Sequence, residues 1–157
     1  MRIGFTGHQG LTSRTASLVA SAITDKLADT DDLIGLCSLA EGRDQIFAQS
    51  ILASGGALIV VVPCHGYEST FTSPTVLNAY RDLVATAKTV IQLDYPEPAE
   101  AAYWAAGKRI VSESDTMIAV WDGKPAGGLG GTADVVTFAH EQGTPVEVVW
   151  PAQAARG

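Results

Sequence analysis

The chain has 157 residues, a formal net charge of −7 at neutral pH and an isoelectric point near 4.7. This length fits one domain with a substantial core and is too short for separate cofactor and substrate domains. The acidic charge argues against nucleic acid as a partner, because nucleic-acid binding normally requires a basic surface.

Short apolar runs alternate with segments of helical spacing along the chain. The runs that predict strands cover residues 2–6, 33–38, 57–62, 89–93, 115–120 and 145–149. The segments that predict helices cover residues 13–28, 42–53, 74–87, 98–113 and 132–142. Because parallel strands need crossover connections, this alternation predicts an α/β three-layer sandwich with a mostly parallel six-stranded sheet and helices on both faces. We expect one domain over residues 1–151 and a frayed tail over residues 152–157.

The apolar content of the chain predicts no membrane segment. No apolar run approaches the roughly 20 residues that a membrane-spanning helix needs, and the chain begins directly with a strand instead of a secretory signal. We therefore expect a cytoplasmic protein without a membrane partner. Cys37 and Cys64 are too few for a zinc site or a disulfide framework, so we predict free thiols and no metal site.

A glycine-rich segment joins the fifth predicted strand to the fifth predicted helix. Its residues are Gly127, Gly128, Leu129, Gly130, Gly131 and Thr132. Glycine lets the backbone approach a ligand closely, and the free N–H groups and positive dipole end of a helix attract anions. The segment therefore predicts a phosphate-binding loop, in which Thr132 caps the helix, contacts the phosphate, or does both. A flexible linker or a glycine-rich hairpin is the alternative.

The loop after the first predicted strand is a second candidate for ligand binding. Right-handed crossovers bring all strand-to-helix loops to one edge of a parallel sheet, and ligands bind there. This loop contains Gly7, His8 and Gln9. It resembles half of a dinucleotide-binding fingerprint but lacks G-x-G-x-x-G, so a nicotinamide enzyme is not favoured. His8 either contacts a base or phosphate or ties down its own loop.

The loop after the second predicted strand concentrates charged side chains. Its candidate residues are Ser38, Glu41, Gly42, Arg43 and Asp44. A carboxylate such as Asp44 is stabilised at a helix N-terminus by the helix dipole and free N–H groups. Glu41 and Arg43 either bind a ribose hydroxyl and a phosphate, respectively, or are solvated loop charges.

The loop after the fifth predicted strand begins with an aromatic residue and a carboxylate. Trp121 either stacks on a base or belongs to the core. Asp122 and Lys124 suit the turn that leads into the glycine-rich segment.

The loop over residues 63–73 mixes a thiol, an imidazole, an aromatic residue and a carboxylate at the same edge. Cys64 and His65 are adjacent, and neighbours on an extended chain point in opposite directions, so a Cys–His nucleophile is not favoured. A mobile flap over the ligand is the simpler interpretation, and the sequence assigns this loop no definite role.

Three segments together resemble the SLOG superfamily of Rossmann-like domains. They cover residues 4–8, residues 38–44, and residues 114–123 with the glycine-rich segment that follows. That superfamily includes the LONELY GUY phosphoribohydrolases, formerly called lysine decarboxylases, the molybdenum cofactor carrier proteins, the DNA-processing protein A domain and sensor domains. The resemblance spans nearly the whole chain and implies a Rossmann-like fold with ligand-binding loops.

The chain departs from the phosphoribohydrolase pattern P-G-G-x-G-T-x-x-E. Gly131 intervenes before Thr132, and Val135 stands three residues after Thr132, where that pattern has its glutamate. Asp134 is one residue earlier, a rotation of about 100° around a helix, so it does not simply replace the glutamate. A hydrolase would then have to use Glu41 or Asp122 as its carboxylate.

The sequence therefore favours binding of a nucleotide or nucleotide-derived phosphate ligand, as a sensor or carrier, and requires no further cofactor. A phosphoribohydrolase that cleaves the N-glycosidic bond of a nucleoside 5′-monophosphate is the alternative, so catalysis stays undecided. The resemblance also leaves open a molybdenum cofactor carrier. Small residues such as Ala105 and Ala106 suit either packing on the chain's own sheet or helix pairing, and we expect a homodimer or higher homo-oligomer.

Overall fold

A computed structural model of the chain describes residues 1–7, 11–125, 131–152 and 154. The strands in these ranges are β1 (Arg2–Gly7), β2 (Ile34–Cys37), β3 (Ala57–Val62), β4 (Thr89–Gln92), β5 (Thr116–Val120) and β6 (Val146–Val149). The helices are α1 (Ser13–Leu27), α2 (Arg43–Ala53), α3 (Pro74–Thr86), α4 (Glu100–Ser112), α5 (Thr132–Glu141) and a short 3₁₀ helix (Tyr67–Thr70). None of these helices is long and apolar enough to cross a membrane.

All six strands lie in one parallel sheet, in the order β4-β3-β2-β1-β5-β6. The chain moves outward from β1 to β4 and then crosses to the opposite side of β1 to form β5 and β6. The prediction of a six-stranded α/β sheet is confirmed, and the sheet is entirely rather than mostly parallel.

Helices cover both faces of the sheet, because alternate side chains of each central strand enter two separate cores. Along β3, Leu58, Val60 and Val62 belong to the core beneath α1, α2 and α3. Ile59 and Val61 belong to the core beneath α4 and α5. A strand buried on both faces is a continuous apolar run, which is why the sequence identified β3 without an alternating pattern.

Small residues let α4 pack closely within this chain. Gly4 of β1 faces α4, where an added Cβ would lie 2.8 Å from Ile110 Cγ2. Gly107 leaves room for Val135 of α5, since a Cβ there would be 2.9 Å from Val135 Cγ2. Ala102 and Ala106 are also buried. The small residues of α4 therefore serve packing inside the fold.

The helix boundaries follow local capping. Thr12 caps α1 by accepting a hydrogen bond from the Thr15 amide at 3.1 Å. Ser73 caps α3 in the same way, and Pro74 occupies the first helical position. The fourth helix begins at Glu100 rather than at the predicted residue 98, because the residue before it, Ala99, is extended with φ −160° and ψ 156°.

Replacing Gly4 with alanine should lower the free energy of unfolding by about 1–3 kcal/mol, because the new methyl group would overlap Met117 Sδ and Ser114 Oγ. Urea denaturation measures the loss. Ser17→Ala on the exposed surface of α1 introduces the same residue without a new contact and should change stability by less than about 0.5 kcal/mol. Equal stability of the two variants would contradict the close approach of α4 to β1.

Candidate functional site at the carboxyl edge of the sheet

The strand order reverses at β1, and a reversal of this kind leaves a crevice at the carboxyl edge of an open parallel sheet. The final residue of β1, Gly7, pairs with Val120 at the end of β5. After these residues the chain enters α1 on one face and α5 on the other. Ligands of open parallel sheets bind in such a crevice at the carboxyl ends of the strands. The predicted ligand residues His8, Gln9, Gly127, Gly128, Leu129 and Gly130 lie outside the described residues.

The N-terminus of α5 lies at this crevice, and its first amides precede the hydrogen-bonded turns of the helix. Its first backbone hydrogen bond runs from the Val135 amide to the Gly131 carbonyl at 3.1 Å, so the amides of residues 132–134 have no partner in the helix. Gly131, and not Thr132, occupies the capping position. Thr132 is 6% exposed, and its hydroxyl forms no hydrogen bond with another described residue. These amides and this hydroxyl can donate hydrogen bonds to an anion.

Arg43 joins the end of β1 to the loop after β2. Its Nε donates to the Gly7 carbonyl at 2.7 Å, and its Nη1 donates to the Glu41 carbonyl at 3.0 Å. Its side chain is 11% exposed. Gly7 must be small here, because a Cβ would lie 2.8 Å from Arg43 Cγ. The predicted residues Gly7, Glu41 and Arg43 therefore come together beside the crevice, and Nη2 of Arg43 bonds to no described residue.

Asp44 is the buried counter-charge in this loop. Its Oδ1 lies 3.6 Å from Arg43 Nε, and its Oδ2 accepts from the Ser38 amide at 3.3 Å. Burial raises the pKa of Asp44, while the positive charge of Arg43 and the amides of Ala40 and Ser38 oppose that rise. The carboxylate thus fixes the turn before α2.

The backbone of the same loop adopts unusual conformations. Leu39 is fully buried and has φ 57°, a left-handed conformation that is uncommon for a residue with a side chain. Gly42 has φ 88° and precedes α2 without a side-chain cap. Glycine is required at residue 42, because a positive φ is strained for other residues.

The two predicted catalytic carboxylates both hold loops. Glu41 Oε1 accepts hydrogen bonds from the amide of Thr72 at 2.9 Å and from its hydroxyl at 2.8 Å. Asp122 Oδ1 accepts from the Lys124 amide at 2.9 Å, and the Trp121 ring nitrogen donates to the Lys124 carbonyl at 2.8 Å. Each carboxylate therefore has a positioning role in its loop.

The loop after β3 contributes an aromatic cluster that the sequence did not identify. Its members are Tyr67, Phe71, Tyr80 and Tyr103. Tyr67 lies edge-on to Phe71 and Tyr80 at ring-centroid distances of 5.5 and 5.7 Å, and its centroid is 6.5 Å from that of Tyr103. Burial is the main cause that raises the pKa of Tyr80 to about 12. Only Tyr67 and Phe71 are close in sequence, so no spacing pattern signals the cluster.

Cys64 and His65 do not form a nucleophilic pair. Cys64 is 1% exposed, and burial raises the pKa of its thiol. The exposed His65 ring instead contacts Asp94 at 3.1 Å. Within residues 1–7, 11–125, 131–152 and 154, no group of three or more histidine, cysteine or acidic residues is arranged to hold a metal ion.

Comparison with solved structures identifies the fold. The chain is similar to DNA processing protein A from Streptococcus pneumoniae at 18% identity and a TM-score of 0.68, covering 96% of this chain and 50% of that one. It is similar to the Helicobacter pylori protein at 16% identity and a TM-score of 0.71, covering 99% and 68%. The structural genomics target TM1055 matches at 14% identity and a TM-score of 0.60, covering 92% and 71%.

This chain has the Rossmann-like α/β fold of these proteins. The fold expected from the three sequence segments is thereby confirmed. The chain spans half the length of the pneumococcal protein, so these similarities concern the fold alone. No protein-family model and no curated protein matches the chain.

The expectation that argued against nucleic acid as a partner is wrong. The Helicobacter pylori DNA processing protein A, described for its single-stranded DNA binding mode, shares its fold with 99% of this chain. The prediction relied on the net charge of −7, which is the sum of all charges of the chain and does not describe the charge at any one site. A ligand instead experiences the local charge at its site, where helix termini and single buried cations act.

The pH dependence of stability tests the burial of Asp44. Because its pKa is raised in the folded state, the stability gained by protonating Asp44 is present at low pH and is lost as the pH rises through the raised pKa. Asp44→Asn has no proton to lose. The free energy of unfolding of the wild type minus that of the variant should therefore fall as the pH rises above 3.8, the ordinary pKa of an aspartate.

Urea denaturation at a series of pH values provides this difference. Asp29→Asn at an exposed position controls for the loss of one negative charge. A wild-type-minus-variant difference that rises with pH would contradict burial as the dominant influence on Asp44.

Proposed function

We propose that this chain binds a nucleotide or nucleotide-derived phosphate ligand in the crevice between the carboxyl ends of β1 and β5, and that it acts as a sensor or carrier. The phosphate would contact the N-terminus of α5 and the glycine-rich segment before it. The sugar would lie near the loops after β1 and β2.

The observation that carries the proposal is the N-terminus of α5 at the reversal of strand order. A helix N-terminus provides amide donors and a positive dipole end, and the reversal leaves the space for a ligand. The hydroxyl of Thr132, which bonds to no other described residue, adds a second kind of donor at the same place. The amides, the helix dipole and the hydroxyl all favour the binding of an anion at this place.

Arg43 supplies the positive charge that an acidic protein needs for an anionic ligand. Its guanidinium is largely buried and lies against Gly7, the last residue of β1. In a site shielded from water, a fixed cation attracts an anion more strongly than an exposed one does. The distribution of charge at the crevice is therefore compatible with a phosphate despite the net charge of −7.

Thr132→Val should weaken binding of nucleoside 5′-monophosphates and of ribose 5-phosphate by about 10- to 100-fold, because it removes one hydrogen bond to a charged oxygen while preserving shape. Isothermal titration calorimetry measures both affinities. Thr137→Val, on the exposed side of α5, is the matched control and should bind as the wild type does.

Unchanged affinity of a folded Thr132→Val protein would place the phosphate elsewhere. Absence of binding by the wild type would overturn the proposal. The same mixtures are assayed for free base, since its catalytic release would replace binding alone with phosphoribohydrolase activity.

Single-stranded DNA is a second candidate ligand. The fold is shared with the Helicobacter pylori protein described for single-stranded DNA binding, at a TM-score of 0.71. A DNA strand carries the same phosphate group as a nucleotide, so the N-terminus of α5 is suited to either ligand.

Fluorescence anisotropy with a labelled oligothymidylate tests this second candidate. Binding through several phosphates should weaken steeply as salt rises, and Thr132→Val should weaken it further, because one phosphate contact is lost. Thr137→Val again serves as the control. An oligothymidylate that binds neither at low salt nor at high protein concentration would remove DNA from consideration.

A further inference from the structure

We infer that the aromatic cluster of Tyr67, Phe71, Tyr80 and Tyr103, called here the aromatic wall, is the surface on which the base of the nucleotide stacks. Phe71 and Tyr103 would contact the base directly. This inference rests on the proposed function, because it takes the phosphate position at α5 as its fixed point.

The aromatic wall lies at the same edge of the sheet as the crevice. Tyr67 belongs to the 3₁₀ helix that follows β3, and Phe71 comes directly after that helix. Tyr103 lies in the first turn of α4, which begins after the carboxyl end of β4. Because all strands are parallel, the ends of β3 and β4 face the same side as those of β1 and β5.

The spacing across the sheet matches the dimensions of a nucleotide. From β5 to β3 the strand order is β5-β1-β2-β3, which is three interstrand steps. At about 4.8 Å per step, the two ends are about 14 Å apart. This separation is comparable with the length of an extended nucleotide, so a phosphate at α5 brings the other end of the ligand to the aromatic wall.

Differences in burial assign separate roles to the four rings. Tyr67 and Tyr80 are only 6% and 5% exposed and form the buried inner layer of the wall. Phe71 and Tyr103 are half-buried, so each residue keeps surface that a ligand can reach. Phe71 is supported from below by Tyr80, at a ring-centroid distance of 4.7 Å. Supported, half-open rings of this kind provide stacking platforms for bases.

The loop that carries Phe71 is held in place before any ligand arrives. Thr72 donates two hydrogen bonds to the Glu41 carboxylate, and Ser73 caps α3. Glu68 pairs with Arg81 at 2.6 Å across the same loop. A preformed surface costs less conformational entropy on binding than a flexible one.

Charge orients the ligand along the crevice. The Glu41 carboxylate contacts Thr72, next to Phe71, and therefore disfavours a phosphate at the aromatic wall. The guanidinium of Arg43 and the N-terminus of α5 favour the phosphate at the opposite end. The neutral base is the part of a nucleotide that suits the wall.

Phe71→Leu and Tyr103→Leu test the inference because leucine preserves apolar volume and removes the ring. Each should weaken binding of the tightest ligand among AMP, GMP, CMP and UMP by about 5- to 150-fold. Each should leave ribose 5-phosphate, which lacks a base, bound as tightly as by the wild type. Phe71→Tyr retains a ring and should bind the nucleotide about as tightly as the wild type does. Isothermal titration calorimetry measures these affinities.

Phe138→Leu is the matched control and should bind both ligands as the wild type does, because Phe138 is a half-buried aromatic residue of α5 that packs against the core beneath that helix. Nucleotide affinity that is unchanged in Phe71→Leu and Tyr103→Leu would overturn the inference and leave the proposed function intact. An equal loss of ribose 5-phosphate and nucleotide binding would also overturn it, by showing a general structural defect. A wild type that binds neither ligand would overturn the inference together with the proposed function.

Discussion

The hydrogen bonds of Arg43 to two backbone carbonyls are the interaction on which the candidate site depends. They join the end of β1 at Gly7 to the loop after β2 at Glu41. A largely buried cation needs compensation, and Asp44 provides it at 3.6 Å. Asp44 in turn fixes the turn before α2 through the Ser38 amide. One buried ion pair therefore organises two of the loops that border the crevice.

The same contacts extend from the crevice to the aromatic wall. The Arg43 bond holds the backbone of Glu41, and the Glu41 side chain holds Thr72. Thr72 follows Phe71, so the position of an aromatic ring depends on an arginine near the end of β1. Glu41 is accordingly a connector between loops. For this carboxylate the sequence had left two alternatives, a hydrogen bond to a ribose hydroxyl or exposure to solvent.

The sequence predicted the fold better than the site, for physical reasons. A strand such as β3 is buried on both faces and is therefore a continuous apolar run, which is visible in one dimension. The partners of a loop side chain are set by topology instead. Glu41 and Thr72 are 31 residues apart. Tyr67 and Tyr103 meet only because β3 and β4 end at one edge, and no local pattern records that.

The first turn of α5 supports binding more than hydrolysis. Val135, three residues after Thr132, is 3% exposed and packs toward Gly107, so a carboxylate there would be buried in an apolar core. If the phosphoribohydrolase pattern is aligned on Gly127 and Gly128 instead of on Thr132, its glutamate corresponds to Asp134. Asp134 lines a shallow cavity of about 220 Å³ with Trp104 and Phe138 on the α4 side of α5. Under the proposed function, the turn would offer a phosphate its hydroxyl and amides, while neither Val135 nor Asp134 corresponds simply to the carboxylate that attack on a sugar needs.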